Sequence, residues 1–275
     1  MLARFSDLLT EARSRGSAVG AFTCYNLETA VGVFRAAEAR RRAVILLVSE
    51  KSFSAPGGSL LLSALVAVAE RSAVPACVQL DHVREPGPIE AAFALGAGAV
   101  MADGSKLGVG ENVDFVLAAA RRGEVEAELG GIEGDEDVAK AVAAGALTDP
   151  DEAAWFAERS GAVCLAVSIG NVHGAYQEPP ALDWARLEEI RRRVEVPLSL
   201  HGASGLSDDD LRRAIRLGVS KVNVNTELRE RYLEVTAERI EAVRDGARVL
   251  ELNLVQANSI AELAAARLDA FESRS

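Results

Sequence analysis

Eight short runs of apolar, strand-forming residues recur along the chain, and longer segments with helical periodicity separate them. Most of the runs are continuous rather than alternating, as expected of strands that are covered on both faces. The runs occupy residues 18–22, 43–48, 75–80, 97–102, 124–129, 164–169, 196–200 and 220–224. Eight βα units in a chain of 275 residues predict an α/β fold, a closed (β/α)8 TIM barrel, formed as a single domain over residues 1–275.

An open, doubly wound sheet is the competing architecture. It is disfavoured because the first strand is followed by GAFTCYN, residues 20–26, and not by the GxGxxG fingerprint of dinucleotide-binding folds. Residues 246–271 carry an apolar helical pattern beyond the eighth βα unit, which predicts an extra C-terminal helix. The glycine-rich, acidic connection over residues 130–150 predicts either a disordered segment or a functional lid.

Composition narrows the class of partner. A net charge of −11 disfavours nucleic acid, because neutralising its phosphates requires a basic face. It leaves room for a small phosphorylated substrate, which backbone N–H groups can bind locally. The longest apolar stretch, residues 60–69, is too short to span a membrane and no signal-peptide pattern is present, so we expect a cytoplasmic protein. Cys24, Cys77 and Cys164 lie among apolar residues, which predicts reduced core thiols.

All three histidines of the chain follow predicted strands. His82, His173 and His201 come after the third, sixth and seventh strands. In a barrel these strand ends converge on the C-terminal rim, where active sites of this fold lie. A catalytic zinc site takes three protein ligands and keeps one position open. The histidines therefore predict a zinc site at this rim.

Acidic residues accompany the histidines. Asp81 precedes the first of them, and Asp103 ends the fourth strand. Glu126 and Glu128 share one face of the fifth strand, which in a barrel is the interior. Interior carboxylates are costly unless they are paired, bind a metal or lie at the rim. Glu128, nearer the rim, is therefore a functional candidate, and Glu126 is interpreted as structural.

Two turns carry the signature of a phosphate site. HGASG (201–205) follows the seventh strand and VNVNT (222–226) follows the eighth. The loops after these strands commonly hold phosphate in a TIM barrel through backbone N–H groups and a helix N-terminus. Beside a metal site, they favour a phosphorylated substrate.

Seven motifs in chain order resemble the class II, zinc-dependent fructose-bisphosphate aldolases, including their tagatose-bisphosphate relatives. They are AVGAFTCYNLET, VQLDHV, VMADGSKL, VEAELGGIEGDED, AVSIGNVHGAY, PLSLHGASGL and KVNVNTEL. The resemblance implies reversible, zinc-dependent cleavage of a ketose 1,6-bisphosphate, with fructose 1,6-bisphosphate favoured. The products would be dihydroxyacetone phosphate and glyceraldehyde 3-phosphate, formed through an enediolate that zinc stabilises, as in glycolysis.

The resemblance also implies roles for individual residues. The ligands of one catalytic zinc ion per chain would be His82, His173 and His201. Two further acids match positions where the metal sits in an alternative, buried pose: Asp103 and Glu128. The two catalytic acids would be Asp81, which gives a proton to the aldehyde oxygen, and Glu136, the base on a flexible loop.

Substrate positions follow from the same resemblance. The residues around a phosphate and a monovalent cation (Na⁺ or K⁺) would be Gly174, Gly202 and Ser204. Those that hold the substrate from the eighth strand would be Asn223, Asn225 and Thr226, with Ser49 adding a hydroxyl from the second strand. The resemblance implies a homodimer or homotetramer in which Arg248 reaches the neighbour's phosphate site, although the usual Asp-Pro-Arg is absent.

The chain departs from the family pattern at two notable positions. Thr23 stands where an Asn is usual, and Val83 where a Gly or a polar residue is more frequent. These changes leave tagatose-bisphosphate and deoxy-keto-gluconate-phosphate aldolases as alternatives. A zinc-dependent barrel hydrolase is a further alternative, with the metal activating water. A non-catalytic family member is disfavoured because all three predicted histidine ligands are present.

Overall fold

The computed structural model describes residues 1–132, 145–174 and 181–272. Within them the strands are β1 (Val19–Thr23), β2 (Val44–Ser49), β3 (Ala76–Val83), β4 (Ala99–Ala102), β5 (Glu124–Leu129), β6 (Cys164–Val167), β7 (Leu198–Leu200) and β8 (Val219–Val224). The helices are α1 (Phe5–Ser14), α2 (Leu27–Arg40), α3 (Glu50–Ser54), α4 (Gly58–Arg71), α5 (Pro86–Ala94), α6 (Val109–Ala120), α7 (Pro150–Ser160), α8 (Trp184–Arg193), α9 (Asp208–Arg216), α10 (Thr226–Arg239) and α11 (Val249–Ala270). A 3₁₀ turn, Ile240–Val243, joins the last two helices.

The predicted TIM barrel is confirmed. The eight strands pair in chain order, and β8 closes the barrel by pairing in parallel with β1, where Val19 lies opposite Lys221. Strand residues alternate between the lumen and the helical layer. On β5, for example, Val125 and Ala127 join the apolar layer beneath the helices, whereas Glu126 and Glu128 lie on the other face.

Helix α1 closes the N-terminal end of the barrel. Its apolar stripe, with Phe5 and Leu9 fully buried, packs on interior residues such as Ile45 and Cys77. The carboxylate of Glu124 fixes the start of this helix, since it accepts hydrogen bonds from the backbone N–H and hydroxyl of Ser6 at 3.0 and 2.6 Å. With one end filled by apolar side chains, the polar interior lies toward the opposite, C-terminal rim.

The predicted C-terminal helix is also confirmed. α11 lies along α2 in very close contact, because a Cβ added at Gly32 would approach the Ala257 carbonyl oxygen to 2.6 Å. The Arg40–Asp269 ion pair, at 2.7 Å, joins the ends of the two helices. The Ala18 N–H, just before β1, donates to the carbonyl of Phe271 at 3.1 Å, so the end of α11 lies on the outside of the barrel beside β1.

The sequence interpretation of β3 is corrected in one respect. The sequence pattern predicts an end at residue 80, but the strand continues to Val83 and includes Asp81 and His82. His82 has a φ of 52°, and the pairing register with β4 shifts between Leu80 and Val83. In a regular strand adjacent side chains point to opposite faces. The left-handed residue interrupts that alternation, so both polar side chains can serve the same site.

The three cysteines are buried and free, as predicted, and burial raises the pKa of Cys77 to about 12. Among the described helices, none has the length and apolarity to cross a membrane. The predicted lid falls largely on residues 133–144, outside the described part of the chain, so that prediction remains open.

Candidate active site

The three histidines meet at the C-terminal rim, as the sequence predicts. Their ring centroids are 4.8 Å apart for His82 and His173, 4.9 Å for His82 and His201, and 5.6 Å for His173 and His201. The rings stand nearly perpendicular to one another, at 82°, 88° and 85°. Together with Glu128 they offer four ligand atoms that all lie within 4.8 Å of one another.

We call His82, His173, His201 and Glu128 the metal group, because their donor atoms fit a divalent metal ion. The Oε2 atom of Glu128 is buried without a hydrogen-bond partner among the described residues, and it lies 3.6 Å from Nδ1 of His82. Burial lowers the pKa of His201 to about 4, which keeps its imidazole neutral, the form that binds metals. Three imidazoles with one carboxylate are a donor set that suits zinc.

The electrostatic environment of Glu128 also favours a role in metal binding. Burial raises the pKa of Glu128 to about 8, and the nearby Asp103 carboxylate adds to the rise while His82 opposes it. A cation placed beside a buried carboxylate with a raised pKa strongly stabilises the ionised form of that carboxylate. The prediction of Glu128 as a functional residue thus agrees with its position in the four-residue group.

Asp103 lies beside the metal group instead of within it. Its carboxylate accepts from the guanidinium of Arg84, at 3.0 Å from Nε, and from the hydroxyl of Ser105 at 2.5 Å. It also lies 3.4 Å from Nδ1 of His82. Burial raises the pKa of Asp103, but His82, Ser105 and Arg84 outweigh that effect and hold this pKa well below its usual range. Here Asp103 orients His82, and its role as an alternative ligand stays a prediction.

Asp81 is a fully buried acid next to the metal group. The amide Nδ2 of Asn223 donates to its Oδ2 at 3.2 Å, and the same Nδ2 lies 3.3 Å from Nδ1 of His201. The structure therefore brings a carboxyl group, an amide and a candidate ligand together, although they come from β3, β8 and the end of β7.

Beneath the histidines, the barrel contains a charged residue that the sequence reasoning missed. Lys221 is fully buried, and its Nζ lies 2.8 Å from Oε2 of Glu126. The clue was present, because Lys221 interrupts an apolar strand two residues before Asn223 and so shares its face. Burial opposes the charge of Lys221, but Glu126 and Asp81 outweigh burial and raise its pKa. The structural interpretation of Glu126 is consistent with this pairing.

The predicted phosphate residues also lie together. The lining of one small pocket at the rim consists of His173, Gly174, Gly202, Ala203, Ser204, Asn223, Asn225 and Thr226. Gly202 has a φ of +65°, and an added Cβ would lie 2.0 Å from the Val172 carbonyl oxygen, so only glycine suits this turn. Thr226 begins α10, whose exposed N–H groups favour an anion.

The remaining predicted site residues have other surroundings. Ser49 ends β2 opposite Asp81 in the strand register, and its hydroxyl caps α3 through the Ser52 N–H at 3.2 Å. Arg248 is exposed just before α11 and lies 4.0 Å from Asp245. Glu136 lies outside the described residues.

Sequence reasoning also missed Tyr25, whose hydroxyl donates to Oδ1 of Asn225 at 3.1 Å.

These features define a class of protein: a TIM barrel whose C-terminal rim holds an imidazole–carboxylate group able to bind a metal, a buried acid and a small glycine-lined pocket. The family described as fructose-bisphosphate aldolase class-II matches residues 3–275. The chain belongs to this family, whose members are metal-dependent, and it is an aldolase, a lyase that acts on carbon–carbon bonds.

Solved structures agree with this assignment. The YdjI aldolase from Escherichia coli K12 is 32% identical over 98% of this chain and 97% of its own, with a TM-score of 0.87. A candidate fructose-1,6-bisphosphate aldolase from Coccidioides immitis is 30% identical over 98% and 96%, with a TM-score of 0.88. Fructose-bisphosphate aldolase from Campylobacter jejuni, 18% identical over 98% and 95%, shares the fold with a TM-score of 0.80.

Proposed function

We propose that this aldolase cleaves a ketose 1,6-bisphosphate, with fructose 1,6-bisphosphate as the first candidate, to dihydroxyacetone phosphate and glyceraldehyde 3-phosphate. The family implies a phosphorylated sugar substrate. The observation that carries the finer proposal is the contact between the two halves of the site. Asn223 lines the anion pocket and also donates to Asp81 beside the metal group. A phosphate in that pocket would therefore lie next to the reacting centre.

We assign a catalytic zinc ion to His82, His173 and His201, with one position left open for substrate, and Glu128 to an alternative, buried pose of the metal. When bound, zinc supplies a Lewis acid that polarises substrate oxygens and stabilises the negative charge that develops on them. The residues themselves handle the protons. In the condensation direction Glu136 would remove the carbon-bound proton of dihydroxyacetone phosphate, and Asp81 would protonate the aldehyde oxygen as the new bond forms.

The remaining polar residues would hold the substrate. Backbone N–H groups around Gly174, Gly202 and Ser204, with the start of α10, would bind a phosphate group. We assign a monovalent cation, Na⁺ or K⁺, to the same region. Asn225 and Thr226 line this pocket, and Ser49 would add a hydroxyl from the opposite side of the rim.

We also propose a homodimer or homotetramer. Apolar side chains are exposed along the outer part of α10, the 3₁₀ turn and the start of α11, a segment that we call the C-terminal arm: Leu233, Ile240, Val249, Leu250 and Leu254. Leu250 is 71% exposed. A neighbouring subunit would cover this surface and receive Arg248 in its phosphate site.

Parallel cleavage assays on fructose and tagatose 1,6-bisphosphates test the proposed reaction. We expect triose phosphate from both and faster turnover of the fructose compound. Faster cleavage of tagatose bisphosphate, or of deoxy-keto-gluconate phosphate in a third assay, would reassign the substrate. Release of inorganic phosphate without triose phosphate would contradict the aldolase proposal and favour a hydrolase.

A further inference from the structure

The ion pair between Lys221 and Glu126 spans the barrel lumen directly beneath the metal group. The two residues come from β8 and β5, which are not neighbours in the barrel. Both side chains are completely buried. A buried ion pair contributes little net stability compared with apolar residues of the same volume. Its presence here therefore calls for a role other than stabilising the fold.

The first branch of this network leads from Glu126 to His201. Oε1 of Glu126 lies 2.9 Å from Nε2 of His201 and accepts from the Ser199 hydroxyl at 2.5 Å. A carboxylate paired with an ammonium group only accepts hydrogen bonds, so this contact favours the His201 tautomer with its proton on Nε2. Nδ1 of the same ring then faces Nε2 of His82 at 3.0 Å.

The second branch leads from Lys221 to Asp81. Nζ of Lys221 donates to Oδ1 of Asn223 at 2.6 Å. Because an ammonium group can only donate, it fixes the orientation of the Asn223 amide. The Nδ2 side of that amide then points to Oδ2 of Asp81 at 3.2 Å. If the amide were reversed, its oxygen would face the Asp81 carboxylate and repel it.

We propose that Lys221 is a positioning residue for the carbon–carbon bond step, in which it acts through Asn223 to hold Asp81 against the aldehyde oxygen of the substrate. This inference rests on the proposed function, since it takes Asp81 as the proton donor. Lys221 does not touch the substrate. Its effect belongs to the step that uses Asp81, and not to proton removal from dihydroxyacetone phosphate.

The test compares two reactions of the same protein. One is cleavage of fructose 1,6-bisphosphate, and the other is exchange of the carbon-bound proton of dihydroxyacetone phosphate in deuterated water. Replacing Lys221 alone would leave the Glu126 charge unpaired, so the test variant is Lys221→Met/Glu126→Gln, in which the new amide oxygen still accepts from His201. We expect kcat for cleavage to fall about 10- to 100-fold, the range seen when residues that orient metal ligands are replaced. The rate of proton exchange and the zinc content should stay close to those of the wild type.

A second variant and a matched control guard against a folding defect. Asn223→Ser keeps the Lys221–Glu126 pair intact but is too short to connect Lys221 to Asp81, and we expect the cleavage-to-exchange ratio to fall here as well. Gln79→Met removes the 2.7 Å hydrogen bond from Gln79 to Glu126 but leaves the branch to Asp81 in place. Its cleavage-to-exchange ratio should match that of the wild type.

The assays distinguish a wrong role for Lys221 from a wrong overall reaction. An unchanged ratio in Asn223→Ser, or an equal loss of cleavage and exchange in the Lys221→Met/Glu126→Gln variant, would overturn the role of Lys221. The wild type would still cleave its substrate in either case. If the wild type itself formed no triose phosphate, the proposed function would fail first.

Discussion

At His82 an unusual backbone conformation helps to build the candidate active site. A φ of 52° places a non-glycine residue in the left-handed region, which costs about 1–2 kcal/mol. Such strain concentrates at functional sites because the surrounding structure must hold it in place. Here it turns two consecutive side chains toward one site, so that Asp81 contacts Asn223 while His82 lies 3.0 Å from Nδ1 of His201. The consecutive polar residues Asp81 and His82 therefore both belong to the candidate active site.

Gly202 provides a residue-scale prediction. Gly202→Ala would add both left-handed strain and a clash with the Val172 carbonyl, which precedes His173. We expect the change to destabilise the fold by more than about 1–2 kcal/mol, the strain alone, and to weaken zinc binding at least tenfold, because His173 and His201 would both shift. Thermal unfolding and a zinc titration measure the two effects.

Gly57→Ala is the matched control for this prediction. Gly57 has a φ of +87°, but an added Cβ would meet no atom within 4 Å. This variant should show the strain alone, with zinc affinity unchanged. Equal zinc affinity in both variants would mean that the turn at Gly202 does not set the positions of the histidines.

At the scale of elements, the C-terminal arm differs from the rest of the fold. α11 runs antiparallel to α10, since Gln256 donates to Thr236 at 2.8 Å and Arg267 pairs with Glu227. Its later part packs on α2 through Gly32 and covers the barrel. Its first part, with Val249 and Leu250, exposes apolar side chains. One half of α11 thus packs on the barrel, and the other half exposes the apolar surface where we propose that a neighbouring chain binds.

Subunit mixing tests that role of the arm. Arg248→Ala chains and His201→Ala chains should each be nearly inactive, for lack of a phosphate contact and of a metal ligand respectively. If Arg248 acts across the interface, mixed dimers contain one site with both residues intact. Activity should then recover to about a quarter of the wild-type value, the statistical share of such sites under random pairing, since a bidentate Arg–phosphate contact is restored. No recovery after proven subunit exchange would place Arg248 outside the neighbour's site.

At the scale of the whole molecule, the sequence predicts the features that follow from the burial of the strands and from their order along the chain. The strands are covered on both faces, so their apolar runs are continuous and their count and order could be read directly. The convergence of His82, His173 and His201 then follows from the geometry of a barrel. The extension of β3 could not be predicted in this way, because Asp81 and His82 are polar residues that resemble the start of a loop.

Ion pairs between side chains on different strands also could not be predicted from the sequence. The pairing of Lys221 with Glu126 joins residues 95 positions apart in the sequence on non-adjacent strands. Arg84 and Asp103 pair between the neighbouring ends of β3 and β4, just beyond the point where the strand register shifts, which periodicity does not reveal either. Periodicity identifies which face a residue occupies, but it does not identify the residue on the opposite wall.

Zinc reconstitution tests the central claim most directly, namely that the histidine–Glu128 group makes this barrel a metal-dependent aldolase. Protein stripped with a chelator should remain folded and lose cleavage of its preferred ketose bisphosphate. Added zinc should restore triose phosphate formation, with saturation at about one ion per chain. Full cleavage by the metal-free protein, together with a covalent adduct trapped by borohydride, would contradict the account and indicate a lysine Schiff base.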